Sequence, residues 1–250
     1  MTASGTPGPV VVVTGASRGL GAGLAEALAG SGMRLGLLAR NEPPVPAGAE
    51  DHCVSMAGDV TDPGALDRLV AGVVGTFGRI DWWVNNAGLL EPVGPLADAD
   101  PAAVSRLVAV NVTGVLLGSR AFARHVRDRP GTGVVVNISS GAASTPYEGW
   151  APYCASKAAV DQATDVLALE GAPFGLRAHT LSPGVVDTAM QALIRDQPAE
   201  RFPAVDRFID LRARGAFNSP AWVGAYLIEL CEGRTDPGRV HHRVPDEPRR

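Results

Sequence analysis

Tyr153 and Lys157 stand four residues apart in GWAPYCASKAAV (149–160), a segment otherwise built largely of small and apolar residues. Small residues at this density predict a helix that packs close to a neighbour. On a helix, positions i and i+4 share a face, so the phenol and the ammonium should point the same way. A phenol titrates near ~10 and is a poor acid or base at neutral pH. A nearby positive charge favours the phenolate and lowers that value. Such a pair can serve as a general acid or base. The plain alternative is a tyrosine packed at a helix start beside a solvated lysine, and the pair alone does not exclude it.

A second group of residues lies near the start of the chain. TGASRGLG (Thr14–Gly21) places Gly15, Gly19 and Gly21 where backbone can approach a ligand closely. The helix that follows offers unpaired N–H groups and a positive dipole end to a pyrophosphate. A glycine-rich turn is a weak signal alone and a strong one between a first strand and a first helix. A dinucleotide is therefore expected against Gly15, Ser17, Arg18, Gly19, Leu20 and Gly21. The second strand ends in LLARN, with Arg40 and Asn41 and no acid. An acid there would hold a ribose 2′-OH and repel a 2′-phosphate. Two guanidinium groups, Arg18 and Arg40, suit the phosphate instead, so the expected cofactor is NADP(H).

Positioning these groups requires a scaffold, and the apolar pattern supplies one. PVVVVTG (9–15) is a continuous β-branched run ending in glycine, the mark of a strand buried on both faces. Strands also read at 34–40, 52–60, 80–88, 133–140 and 176–184. Helices read at 20–32, at 62–78 with Asp62 as N-cap and Pro63 in the first turn, at 101–128 and at 152–171. NEPPVPAGAE (41–50) is too proline-rich for a helix. The alternation predicts an α/β fold: one domain over 1–250, a doubly wound parallel sheet with helices on both faces. Residues 185–219 break the rhythm and read as a helical lid over a substrate or as a surface helix pair. Residues 1–8 and 243–250 are expected to be flexible, with His241 and His242 on the tail surface. Trp82 and Trp83 read as core or sheet edge, and Cys154 as a packing residue facing away from the chemistry.

The composition narrows the function. The chain has 250 residues, 46% hydrophobic and 19% charged, with a net charge of −4 and no basic block. Nucleic acid is not an expected partner. Cys53, Cys154 and Cys231 show neither metal-ligand spacing nor a disulfide framework, so no metal is expected and a reducing cytoplasm suits the chain. MTASGTPGP has no signal-peptide features, and no apolar run is expected to reach the ~20 residues of a membrane span.

TGASRGLG, NNAG (85–88), NISS (137–140), YCASK (153–157) and SPGVVDT (182–188) together resemble the short-chain dehydrogenase/reductase family in order and spacing. The resemblance covers about 10–188 and implies a Rossmann fold that transfers hydride between a nicotinamide and a carbonyl or alcohol carbon. It implies that Tyr153 protonates the nascent alkoxide, that Lys157 lowers its pKa and holds the nicotinamide ribose, and that Ser140 polarises the substrate carbonyl. Ser140 is preferred to Ser139 because the family serine usually sits thirteen residues before the tyrosine. Asn111 would position a water in a proton relay ending at Lys157. Asn86, Ala87 and Gly88 would line the adenosine side, and Asp59 and Val60 the adenine. Pro183, Gly184, Val186 and Thr188 would hold the nicotinamide.

A narrower resemblance, over most of 145–240, is to the sepiapterin reductase branch and to its bacterial relatives that reduce benzil and similar vicinal diketones. His242 stands where that branch has a pterin-anchoring aspartate, which favours a diketone over a pterin. The substrate cleft would include Ser140, Ala142, Tyr147, Trp150, Tyr153, Met190 and Gln191, with Tyr147 and Trp150 either stacking on a flat substrate or packing in the core. Two alternatives remain: a polyketide or fatty acyl pathway ketoreductase, against which the C-terminus lacks that group's usual late strand ending in an Asp-Gly-Gly-like turn, and an NADP(H)-sensing regulator without turnover. The resemblance also implies a small-molecule carbonyl substrate and a homodimer, with a tetramer as an alternative, paired through the helices of Asn111 and Lys157.

Overall fold

β1 (Val10–Thr14) is buried at all five positions. Its residues alternate between two layers, as strand geometry requires. Val11 and Val13 pack with Leu24, Leu28, Val223 and Leu227 on one face. Val10 and Val12 pack with Leu66, Leu69 and Phe122 on the other. A strand covered on both faces needs an unbroken apolar run, and that is why no polar residue interrupts VVVV. This computed structural model describes residues 8–236 and 238–248.

Six further strands extend the sheet: β2 (Arg34–Ala39), β3 (Cys53–Ala57), β4 (Trp82–Asn85), β5 (Gly133–Ile138), β6 (Leu176–Ser182) and β7 (His241–Arg243). Their order is β3-β2-β1-β4-β5-β6-β7, and every neighbouring pair is parallel. α1 (Gly19–Gly30) and α8 (Pro220–Cys231) belong to the first layer. α2 (Pro63–Phe77), α4 (Gly114–Arg127) and α5 (Ala151–Gly171) belong to the second. Asp62 caps α2 as expected, accepting from the N–H groups of Gly64 and Ala65. Trp83 is fully buried on central β4, and Trp82 nearly so, which places both in the core.

The order reverses between β1 and β4, so the loops after strands β1 to β6 open at one end of the sheet. In such sheets the ligand crevice forms at that end. The two segments read as one long helix at 101–128 depart from that reading. α3 (Pro101–Val108) passes into a wide π turn (Ala109–Thr113) before α4 begins. Such turns insert one extra residue and often mark functional sites, and Asn111 lies in this one. The continuous helix of 27 residues, with mean hydropathy up to 1.5, is long and apolar enough to cross a membrane by composition, contrary to the sequence expectation. Here Leu107, Val115, Phe122 and Val126 are spent on this domain's own core.

The C-terminal segment also corrects the reading. His241 and His242 are not tail surface: they form β7, pairing with Thr180 and Leu181, and His242 is buried. The strand that seemed missing is therefore present, too short and too polar to show in the apolar pattern. Nor do residues 243–248 hang free. Val244 is fully buried, Trp222 donates to the Pro245 carbonyl, and Glu247 accepts from the N–H of Ser219, the residue that caps α8. The other expected flexible segment, 1–8, lies outside the described residues except for Gly8. The 185–219 segment carries α6 (Ala189–Arg195) and α7 (Val205–Ala213).

Candidate active site

α5 starts at Ala151, with Pro152 in its first turn, so Tyr153 enters one turn above the end of β5. Tyr153 and Lys157 are both buried and share a face, with Nζ 5.7 Å from the phenol ring centre. Lys157 donates to the Ile138 carbonyl at 2.8 Å, which fixes the ammonium at the end of β5. Ser140 follows two residues later, half-buried, its hydroxyl accepting from the Ala142 N–H at 3.1 Å and lying close enough to the Tyr153 phenol to pull its pKa down. Ser139 is turned elsewhere, donating to Asp161 at 2.5 Å. Of the two serines, Ser140 is the one beside the phenol.

The electrostatics differ from the simple expectation of a lowered phenol pKa. Burial pushes Tyr153 up to about 12, against a small downward pull from Ser140. Burial also pushes Lys157 down to about 8, partly offset by Asp161. Desolvation penalises both charged forms, and here it outweighs what the pair does for itself. In this state the phenol holds its proton firmly, as a proton donor must.

Asn111 is fully buried in the π turn. Its carboxamide accepts from the Leu89 N–H at 2.7 Å and donates to the Leu89 carbonyl at 2.8 Å and to Ser156 at 3.1 Å. It locks the loop after β4 to α5, and the extra residue of the turn is what aims it inward.

The residues expected to hold a cofactor lie along the same edge of the sheet. Gly15, Ser17, Arg18, Gly19, Leu20 and Gly21 follow β1, Arg40 and Asn41 follow β2, and Asp59 and Val60 follow β3. Asn86, Ala87 and Gly88 follow β4, and Pro183, Gly184, Val186 and Thr188 follow β6. A Cβ on Gly21 would lie 2.3 Å from the Gly15 carbonyl oxygen, so only glycine lets α1 sit this close to the turn. A Cβ on Gly19, where φ is +58°, would meet nothing nearer than the Thr188 side chain at 3.4 Å. Arg18 is the N-cap of α1 but offers no side-chain cap, so the first N–H groups of the helix are left for an outside acceptor. Arg18, Arg40 and Asn41 are exposed. These features fit a dinucleotide.

Two expected contacts fall differently. The Asn86 side chain donates to the carbonyls of Thr14 and Gly15, so it shapes the glycine turn. Val60 is buried beneath Gly114, where a Cβ would come within 2.8 Å of it, so only its backbone is free for a ligand. Asp59 is held below its ordinary range chiefly by the Thr61 N–H.

On the substrate side, Ala142, Trp150 and Tyr153 join the buried cluster of α6 and α7, with Tyr147 and Met190 packed at its edge. Trp150 does not present a free face. It stacks on Phe202 at 4.5 Å and 12°, with Tyr147 at 4.9 Å and Phe208 at 5.5 Å. Tyr147 is half-buried and its hydroxyl accepts from Arg207. Gln191 keeps a buried carboxamide oxygen without a partner, and so does the Trp150 indole N–H. Cys154 is half-buried, its thiol directed at the Thr145 carbonyl.

Sequence reasoning missed a polar core behind the site. Asn85 donates to Asn137 and Ser119 and accepts from the Trp83 indole, and Asn137 donates to Thr164. The two asparagines were in view in NNAG and NISS, but their pairing depends on the register Asn85↔Asn137, which no single segment reveals. It also passed over a plain count. Lys157 is the only lysine in the chain; every other basic side chain among the 22 Lys and Arg residues is arginine. A guanidinium does not titrate in proteins, and an ammonium does.

The short chain dehydrogenase profile matches residues 9–199. The chain belongs to the short-chain dehydrogenase family. Benzil reductase ((S)-benzoin forming) of Bacillus subtilis (strain 168) is 31% identical over 233 residues, covering 92% of this chain and 96% of that protein. The 3beta-hydroxysteroid dehydrogenase 1 of Eggerthella lenta is 35% identical over 230 residues, covering 88% and 86%. Among solved structures, 3-ketoacyl-(acyl-carrier-protein) reductase from Brucella melitensis, complexed with NADH, superposes with a TM-score of 0.81 at 27% identity, covering 96% of this chain and 97% of that one. This short-chain dehydrogenase is thus an oxidoreductase of the CH–OH/C=O class on a Rossmann fold, and the family binds a nicotinamide dinucleotide.

Proposed function

We propose that the chain is an NADPH-dependent carbonyl reductase for small ketones, vicinal diketones among them. The observation that carries this is the buried Tyr153–Lys157 pair, with the half-buried Ser140 hydroxyl beside the phenol and the ammonium fixed on the Ile138 carbonyl. When bound, the dinucleotide supplies hydride to the carbonyl carbon. Ser140 donates to the carbonyl oxygen, and Tyr153 gives that oxygen its proton as charge builds there. Lys157 stabilises the phenolate left behind, and Asn111 holds the neighbouring loop rigid. Water is kept off by the apolar cover of Phe202, Val205 and Phe208, in a segment we read as the substrate lid.

The benzil reductase likeness supports an apolar ketone. The test is cofactor oxidation followed with benzil and related diketones under NADPH and NADH in parallel. Turnover with neither cofactor would end this reading. A second reading, an acyl-thioester ketoreductase, gains a late strand in β7 but not the Asp-Gly-Gly-like turn expected at its end, since the sequence there reads HHRVPDE. Faster turnover of an acetoacetyl thioester than of any diketone would favour it.

Arg18 and Arg40 support the choice of NADPH, both being exposed in the loops after β1 and β2, although Arg40 also lies near enough to Asp59 to help hold that carboxylate's pKa down. Replacing either by alanine should raise the KM for NADPH about tenfold, the loss of one charge-assisted hydrogen bond, and leave the KM for NADH within twofold. Equal effects on both cofactors would sink the phosphate assignment.

A homodimer belongs to this proposal. Leu116 on α4 and Val166 and Leu169 on α5 are 48%, 44% and 78% exposed. Beside them is a groove of about 510 Å³ lined by Val115, Leu116, Val166, Leu167 and Phe174. Apolar surface of this kind is uncommon on a free monomer. Leu169→Glu should convert a sedimenting dimer to monomer; an unmodified chain that already sediments as monomer would exclude the pairing.

A further inference from the structure

Three neighbouring residues at the end of β5 are each held by a side chain from α5. Asn137 donates to Thr164 at 2.8 Å, the Ile138 carbonyl accepts from Lys157 at 2.8 Å, and Ser139 donates to Asp161 at 2.5 Å. The chain then turns into Ser140. Along α5, Tyr153, Lys157, Asp161 and Asp165 fall at successive i, i+4 positions and form one stripe. The stripe begins at the phenol and ends at the sheet edge. There His241 of β7 lies 2.9 Å from Asp165 and 3.9 Å from Asp161, with Thr180 on its other side at 2.9 Å.

Building on the reductase reading above, we propose that Asp161 is a positioning residue for the acid/base pair: it pins the backbone that presents Ser140, and its carboxylate keeps the neighbouring Lys157 an ammonium. The argument is one of charge placement. Lys157 is buried, and its polar surroundings are the Ile138 carbonyl of β5, the Asn111 turn and Tyr153; Asp161 is the one anion that acts on it appreciably. Burial alone drives a lysine toward the neutral amine, and a carboxylate one turn away opposes this. The Asp161 side chain is 28% exposed, so its pull is partly screened. Ser139 occupies one carboxylate oxygen, while His241 and Asp165 lie toward the other.

The single lysine makes a direct test possible. Protein grown with isotopically labelled lysine gives one side-chain resonance, whose shift against pH reports the protonation of Lys157 with or without turnover. Asp161→Asn keeps an acceptor for Ser139 and removes the charge. It should lower the Lys157 midpoint by about one pH unit and move the alkaline limb of ketone reduction down by the same amount. Asp161→Glu keeps the charge and should hold the midpoint. Ser139→Ala keeps the carboxylate and removes its pin, so the midpoint should stay while kcat falls. An unmoved midpoint in Asp161→Asn would overturn the proposal and leave Asp161 as a simple strand-to-helix pin. A midpoint that moves in a protein reducing no ketone would sink the reductase reading and leave the link between Asp161 and Lys157 standing.

Discussion

Replacing Tyr153 by phenylalanine removes ketone reduction, lowering kcat/KM by about a hundred- to ten-thousandfold, the range associated with a positioned proton donor. The substitution deletes one oxygen from a ring that belongs to the cluster of Trp150, Phe202 and Phe208. The ring stays, so the fold and the affinity for NADPH should stay with it. Stopped-flow mixing and a cofactor titration separate the two: binding unchanged, turnover gone. A variant that keeps more than a tenth of its activity would mean that another group delivers the proton. A pH profile of the unmodified protein adds the sign. The phenol, pushed up to about 12, remains protonated through the working range. Lys157 is pushed down to about 8, so it loses its charge as the pH rises through that value. Reduction should therefore be full below pH 8 and decline above it, with lysine rather than tyrosine setting the alkaline limb.

Trp150→Ala should cost about 3–5 kcal/mol of stability, the usual range for emptying a large aromatic site. Trp150 is 4% exposed and stacks on Phe202, with Tyr147, Tyr153 and Phe208 around it. No neighbour is free to fill the space, because each is anchored on a different segment: Phe202 before α7, Phe208 within it and Tyr153 on α5. The loss should appear as a lower urea midpoint. The KM for a ketone should rise as well, since α7 rests on this ring. A midpoint within the error of the unmodified chain would show that the cluster is a surface skin rather than core. Trp150→Phe, which refills most of the volume, should recover more than half of the loss.

Much of this architecture could be read from the sequence because its signals are local. VVVV in β1, Asp62 with Pro63 at the start of α2 and the glycine turn each announce themselves within a few residues. The acid/base pair could be read for the same reason, since Tyr153 and Lys157 lie on one turn of one helix. What escaped was long-range or small. β7 is three polar residues long, and its place depends on β6 offering Thr180 and Leu181 as partners. The role of Trp150 stayed open between substrate face and core because its partner, Phe202, comes from a segment 52 residues later, and aromatic character alone cannot tell a substrate face from a packed one. The phenol's pKa was expected to fall because the lysine was counted and the burial was not. Asp161 was invisible until β5 stood beside α5.

The π turn at Ala109–Thr113 amounts to one residue of slack in an otherwise regular helix. Each residue of α-helix turns the chain by about 100°. Deleting one residue there would close the turn into a regular helix, leaving α4 in phase and turning only the residues of the turn itself by about that angle. Asn111 lies at the slack itself, and Phe122 and Val126 lie beyond it in the core. A shortened helix could therefore keep its phenylalanine buried but would lose the aim of its asparagine. Insertions and deletions in this helix are tolerable only where they cancel before α4 meets the sheet, so the length of this segment should be among the least negotiable dimensions of the protein.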